Sequence, residues 1–284
     1  MQMFPSAESM APAEFASVAE TLGFESVFFP DHTHTPVPTN NAEWSSPAYY
    51  RTVMDPLIAM AAAVTATTSI RVGSAVCLVV QREPIALAKQ VATLDQISGG
   101  RIILGVGAGS DLAEMGNHGA TETNRYALLR ERIEAMTQIW THDVAEYHGE
   151  HVDFGPMWSE PKPIQQPRPP ILVGGGGPGV LNRVVAYGDG WIPFRSGTGT
   201  FQDRPTGEVE EFEDQLNERI LRLRTMSGDA GRPPATVTLF NSCPHPRAIE
   251  RYRDMGIDRI VFWLPTASAS DTSRTLERLS TLLK

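Results

Sequence analysis

The sequence predicts an α/β protein of the (β/α)8 TIM-barrel class. Short β-branched or apolar runs alternate with amphipathic helical patterns from end to end, the rhythm of parallel strands joined by crossover helices. Eight such units can be counted, a number that closes a barrel more naturally than it fills an open sheet. The length of 284 residues suits one barrel whose core needs no metal or disulfide staples. One domain over residues 1–284 is expected, with a doubly wound sheet as the alternative topology.

The elements follow in order. Residues 2–4 are the first strand. The next helix has Pro12 near its start and Phe15, Val18, Ala19 and Leu22 on one face, and Gly23 stops it. SVFFP at 26–30 is the second strand. Asp55-Pro56 supplies the N-cap and first turn of an alanine-rich helix running to Thr65. Residues 70–80 form the third strand, and Glu83-Pro84 opens a helix that ends before Gly99-Gly100. RIILG at 101–105 is strand four. Residues 125–140 read as a long helix with Leu128, Leu129, Ile133, Met136, Ile139 and Trp140 as its apolar face. The pattern breaks over 146–166, where EYHGEHVDF predicts a small hairpin before a proline-rich connector. Strands five to eight are 171–173, 191–193, 236–240 and 259–264. Between and after them lie a helix ending near Tyr187-Gly188, a charged helix over 209–227, one over 246–255 and a closing helix over 270–283.

Composition excludes several classes. Cys77 and Cys243 are far apart with no C-x-x-C pairing, which argues against a disulfide scaffold or a structural zinc and suits a reducing cytoplasm. The 24 basic against 33 acidic residues give a net charge of −9, and no segment shows the basic face of a nucleic-acid binder. No leader-like segment opens the chain, and the most apolar run, 57–64, is too short to span a bilayer. A soluble cytoplasmic protein with no membrane or nucleic-acid partner is expected.

In a barrel the chemistry sits on loops after the carboxyl ends of strands. That rule selects Asp31-His32, residues 77–81, residues 105–111 and residues 174–177, with Arg195 after strand six and Asn241-Ser242 after strand seven. Gly174, Gly175, Gly176 and Gly177, followed by Pro178, lie between an apolar strand and a helix. Backbone N–H groups there can approach an anion, and the helix dipole favours one, so the phosphate of a nucleotide-like cofactor is the natural guest. The alternative is a tight turn needing positive φ. No Gly-Lys-Ser/Thr follows, so this is not a Walker loop. Gly105, Gly107, Ala108 and Gly109 permit a flat ring or ribityl chain against backbone, or merely close helix–strand packing. As a dinucleotide fingerprint the stretch lacks its last glycine and the later acidic residue.

Asp31-His32-Thr33-His34 carries two imidazoles and a carboxylate at one strand end. His32 can exchange protons with a substrate, can join His34 on a metal, or can be an inert hydrogen-bonded residue. Of the other histidines only His245 follows a strand, which leaves a metal short of ligands; none is expected. The segment 33–54, with Trp44, Tyr49 and Tyr50, is long enough to be a lid, a substrate wall or a dimer contact.

The run REPIALAKQVATLDQISGGRIILGVGAG between Gln81 and Ser110 resembles the most characteristic stretch of the luciferase-like monooxygenase superfamily. The similarity extends to YRTVMDPLIAMAAAVTATTSIRVGS, the 125–140 helix, PKPIQQPRPPILVGGGG and YGDGWIP, spanning nearly the whole chain. Within the superfamily it most resembles the branch of probable F420-dependent oxidoreductases, which has Asp-His or Glu-His after strand two and an Asn-His-Gly like residues 117–119. Two departures stand out. Ser110-Asp111 replaces a bulkier Trp-x pair, which widens the pocket, and strand one starts almost at Met1, as if the amino terminus were short or its start misassigned.

The resemblance implies a luciferase-like barrel with a deazaflavin (F420) or FMN in its mouth. One cofactor face would rest on a bulge over about 75–78, with Ala75, Val76 and Cys77 as its contacts, where family members often have a non-prolyl cis peptide. The phosphate would sit on Gly174, Gly175, Gly176 and Gly177, with Gly107, Ala108 and Gly109 against the ring or tail. The catalytic proton donor or acceptor would be His32, and Asp31 would touch the cofactor and favour imidazolium through its charge. The expected activity is hydride transfer between F420 and a small organic substrate, in a homodimer by family analogy. An FMN-dependent monooxygenase fed by a separate reductase is the alternative. A non-catalytic flavin-binding barrel and a metal hydrolase stand behind it.

Overall fold

The computed structural model describes residues 1–37, 48–194 and 206–283. Among these, nine parallel strands curl into a nearly closed barrel. They are β1 (Gln2–Met3), β2 (Ser26–Phe29), β3 (Arg71–Leu78), β4 (Ile102–Gly107), β7 (Ile171–Gly174), β8 (Gly190–Ile192), β9 (Thr236–Phe240), β10 (Arg259–Val261) and β11 (Trp263–Leu264). A separate antiparallel hairpin, β5 (Val144–His148) and β6 (Asp153–Trp158), occupies the predicted insertion.

The sheet order is β10-β9-β8-β7-β4-β3-β2-β1-β11. Its two end strands are halves of one extended segment, parted only by Phe262, so the eighth predicted strand is split in two. β10 pairs with β9 and β11 pairs with β1, while Gln2 N–H donates to the Phe262 carbonyl at 2.9 Å. The split lets one segment serve two neighbours whose directions differ by the barrel's tilt.

The helices are α1 (Pro12–Thr21), α2 (Pro56–Thr65), α3 (Pro84–Ser98), α4 (Leu112–Gly116), α5 (Arg125–Thr141), α6 (Val180–Tyr187), α7 (Thr206–Asp229), α8 (Pro246–Asp254) and α9 (Ala269–Ser280). Their starts follow the sequence punctuation. Asp55 accepts from the N–H groups of Leu57 and Ile58, and Glu83 from those of Ile85 and Ala86, each with proline next in the chain. Gly99 ends α3 in the left-handed region, φ 68°.

Two apolar layers result. Phe28, Ile103, Leu172, Ile192, Phe240 and Val261 make one cluster inside the barrel, with Ala75 and Val76 packed against it. Their neighbours along the strands, such as Phe29, Ile102, Leu104 and Val173, join the larger cluster beneath the helices. This is the two-sided burial that parallel strands require. The hairpin is tied to α5 by Glu131, which accepts from the N–H groups of His151 (2.7 Å) and Val152 (3.1 Å).

Two elements differ from expectation. The third strand stops at Leu78 and tightens into a 3-10 turn over Val79–Gln81, and at that junction the Leu78 N–H bonds to the Asp31 carboxylate at 2.9 Å. The short helix α4 was not anticipated; Asp111 caps it through the N–H groups of Ala113 and Glu114. Among the described residues no helix is long and apolar enough to cross a membrane.

Candidate active site

A cavity of about 640 Å3 opens where the barrel strands end. Its wall takes His32 from after β2, Val76 from β3, Gly107 to Ser110 from the end of β4 onward, and Gly174 to Gly177 from the end of β7 onward. Asn241 after β9 and Trp263 of β11 complete the ring. A cavity of this size suits one organic cofactor with a small substrate beside it.

The floor is built around Val76. The β3–β4 register slips between Ser74 and Cys77, and the Ala75–Val76 peptide within that bulge is cis, at the position the family resemblance implied. The bulge sets the Val76 isopropyl group between two neighbouring strands. A Cβ on Gly107 would lie 2.6 Å from Val76 Cγ2, and one on Gly174 would lie 2.7 Å from Val76 Cγ1. Both glycines are therefore demanded by packing, whatever the cavity holds. Ala75 and Val76 line the cavity. Cys77 does not: its thiol is fully buried, and burial followed by the Asp31 carboxylate pushes its pKa well up. The alternation of side chains along a strand puts it on the opposite side from Val76.

Gly175 adopts φ 130° and so needs glycine, whereas Gly177 has open space where a Cβ would stand. The loop is held by its carbonyls. Gly175 O accepts from Trp191 Nε1 and Gly176 O from Arg219 Nη1, both at 2.8 Å. The N–H groups of Gly176 and Gly177 bond to no described residue, and α6 begins three residues beyond Gly177. Amides so placed, ahead of a helix amino end, fit a phosphate. The chain thus offers an apolar floor, room for a flat ring and an anion cradle, which together fit a flavin or deazaflavin.

His32 lines the same cavity. Its Nδ1 is 2.9 Å from Glu114 of α4, whose second oxygen accepts the Thr33 N–H at 3.0 Å. Burial alone would raise the Glu114 pKa, but the His32 bond and charge and the Thr33 N–H carry it below the ordinary glutamate value. The carboxylate is therefore ionised at neutral pH and can only accept, which assigns the neutral imidazole its proton on Nδ1. Nε2, unpaired among the described residues, is then the acceptor. Tyr50 stacks on the imidazole at 3.9 Å and 22°. Phe4, Tyr49, Tyr50 and Trp263 form a connected set of rings along this wall, with Phe4–Tyr49 at 4.8 Å and Tyr49–Trp263 at 6.1 Å.

Asp31 also lines the cavity, but its carboxylate is held by other partners than His32. Both its oxygens are engaged by Arg82, at 2.9 and 2.8 Å, and one also by the Leu78 N–H, with its side chain 1% exposed. Arg82 reaches on to Asp55 at 2.9 Å, joining the ends of β2 and β3 to the cap of α2. The carboxylate beside His32 is Glu114, not Asp31. His34 turns away to Thr33 and Asn117, and among the described residues no group of three or more His, Cys, Asp or Glu could hold a metal. Trp44, Arg195 and most of the 196–207 loop lie outside the described residues.

The sequence reading missed Glu114, Arg125 and Arg183. Asp111-Leu-Ala-Glu114 is an Asp-x-x-Glu helix start, a signal that could have located α4. Arg125 and Arg183 line the cavity from the first turns of α5 and α6, where a cation opposes the helix dipole. Such placement marks a charge kept for another purpose.

Comparison with known proteins bears on the fold and the family. Residues 8–204 match the model of the luciferase-like monooxygenase family. An uncharacterised protein of Mycobacterium tuberculosis (strain H37Rv) is 36% identical over 291 residues, covering 99% of this chain and 96% of its own. An F420-dependent glucose-6-phosphate dehydrogenase of Amycolatopsis mediterranei is 27% identical over 95% of this chain and 75% of its own. Among solved structures, a monooxygenase of Streptomyces bottropensis superposes with a TM-score of 0.79 at 20% identity, covering 100% of this chain and 98% of that one. With its barrel, its β3 bulge and its glycine loops accounted for residue by residue, the chain belongs to the luciferase-like monooxygenase family.

Proposed function

We propose that this protein is a coenzyme F420-dependent oxidoreductase that moves a hydride between the deazaflavin and a small organic substrate. The observation that carries the reading is the His32–Glu114 pair, which presents an imidazole Nε2 acceptor at the wall of a cavity with an apolar floor and an anion cradle. The bound deazaflavin supplies two-electron hydride chemistry at its C5 carbon. The chain's own residues do the rest. Val76, with Ala75, offers the surface on which the ring lies, and Gly176 and Gly177 donate to the phosphate. His32 Nε2 takes the proton of a substrate hydroxyl as the carbon beneath it gives up hydride, or returns that proton in the reverse direction. Glu114 stabilises the imidazolium that forms. The aromatic wall of Phe4, Tyr49, Tyr50 and Trp263 keeps water away from the reacting carbon. A single domain acting as a homodimer belongs to the same proposal.

His32→Ala tests the role directly. Cofactor affinity should stay within a few-fold while turnover falls by roughly 100-fold or more. Unchanged turnover would remove His32 from the mechanism. The second reading, an FMN-dependent monooxygenase supplied by a separate reductase, draws on the same glycine loop, which suits any phosphate. The two part on oxygen: F420-linked oxidation proceeds under anaerobic conditions, and flavin monooxygenation stops.

A further inference from the structure

We propose that Arg125 and Arg183 form a two-guanidinium clamp that binds the anionic tail of the cofactor and makes the site select a tailed deazaflavin over FMN. The inference rests on the reading of the cavity as a deazaflavin site and extends it to cofactor choice.

The two guanidinium groups share one aromatic ring. Arg125 Cζ lies 4.8 Å and Arg183 Cζ 4.0 Å from the centroid of Tyr126, and all three residues line the cavity. Arg125 reaches the loop after β4, and Arg183 stands beside the entry to α6 after β7. Arg125 Nη1 reaches the Gly109 carbonyl at 3.4 Å, and Arg183 Nη1 is 3.3 Å from where a Cβ on Gly179 would be.

Neither guanidinium pairs with a carboxylate among the described residues, although Glu122 also lines the cavity, and Arg125 Nε is buried with no hydrogen-bond partner. Bringing two cations to one ring costs mutual repulsion, which the ring's negative face offsets only in part. Arg125 is the first residue of α5 and Arg183 the fourth of α6, and neither first turn contains an acidic residue. Both helix dipoles therefore add to the positive potential. In a chain of net charge −9, two cations and two helix amino ends at one cavity mouth are not average surface.

An anion with several charges resolves this arrangement. FMN ends at its phosphate, which the Gly176 and Gly177 amides already suit. The side chain of F420 runs on past a phosphodiester into glutamyl carboxylates, and planar guanidinium groups pair with carboxylates by two parallel hydrogen bonds.

The test titrates wild-type protein, Arg125→Met, Arg183→Met and the double variant with three probes. These are F420, FMN, and the deazaflavin chromophore bearing its ribityl chain but no phosphate. Methionine keeps much of the side-chain volume, and a thermal melt of each variant checks folding. Each single variant should bind F420 about 10-fold more weakly. The tailless chromophore should be unaffected, and FMN should lose less than F420. Added salt should weaken wild-type binding of F420 and weaken that of the double variant much less. Unchanged F420 affinity, or an equal loss for all three probes, overturns the clamp. An equal loss for F420 and FMN reduces it to a phosphate contact and overturns the selectivity. Failure of the underlying reading shows separately, in wild-type protein that binds no deazaflavin.

Discussion

Glu114→Gln is the most informative single change in the site. The carboxylate takes His32 Nδ1 through one oxygen at 2.9 Å and the Thr33 N–H through the other at 3.0 Å, with its side chain 2% exposed. A glutamine of the same shape can keep both contacts in one way only. Its carbonyl oxygen accepts from Thr33, and its NH2 group donates to Nδ1. The imidazole must then carry its proton on Nε2, so its unpaired nitrogen changes from acceptor to donor. A hydrogen bond to an ionised group contributes about 1.5–3 kcal/mol, which sets the wild-type preference for the Nδ1–H tautomer at about 10- to 150-fold. The assay is 15N NMR of the imidazole at alkaline pH, where the ring is neutral, with a thermal melt as the control for folding. Wild-type protein should show Nδ1–H and the variant Nε2–H, with turnover reduced by about 100-fold and cofactor affinity little changed. An Nε2–H tautomer in the wild type, or full turnover in a variant whose tautomer has reversed, would refute the assignment of Nε2 as the proton acceptor.

The other expectations concern the frame around the site. Asp31→Asn removes one partner of a buried pair, and since Arg82 keeps Asp55 the loss should be about 3 kcal/mol, the low end for such changes. A melt should show that as a fall of roughly 6–12 °C, and a fall under about 2 °C would contradict the structural role given to Asp31. Gly174→Ala must push on Val76 and should cost about 1–3 kcal/mol in denaturant unfolding. Gly177→Ala meets nothing within 4 Å and should leave stability within about 0.5 kcal/mol while weakening phosphate-bearing cofactors. Glu20 adds a pH dependence. Desolvation pushes its carboxyl up, but the N–H groups of Ile70, Ser69 and Thr68 hold it down, from 4.5 to about 2. A depressed folded value means that its contribution is present above about 4.5 and is lost as pH falls through about 2. The stability gap between wild type and Glu20→Gln should therefore narrow steadily across that window in denaturant titrations. A gap independent of pH would show that the carboxylate charge contributes nothing.

What could be read from the sequence was whatever is written locally. Asp55-Pro56 and Glu83-Pro84 announce helix starts because a cap and a proline act within one turn of themselves. The glycine loops and His32 stand out because a barrel places its chemistry after strand ends. Relations between strands were not legible. Glu114 is 82 positions from His32, and its loop follows β4 while His32 follows β2, so only the strand order β4-β3-β2 brings them together. Sequence proximity misled on what Asp31 pairs with: its carboxylate goes to Arg82 and the Leu78 N–H and not to His32, although both residues line the cavity. It misled again at Cys77, one position past Val76. The reason for Gly107 and Gly174 was equally hidden, because it lies in the side chain of Val76 on a neighbouring strand.

The cofactor that the cavity accepts decides the function. Trp263 lines the cavity and Trp191 bonds to the glycine loop, so titration of the apo-protein with F420 and, separately, FMN can be followed by quenching of tryptophan fluorescence. Micromolar or tighter binding of the deazaflavin, with FMN at least about 10-fold weaker, is the predicted result. Tighter binding of FMN, or no binding of either, would contradict it.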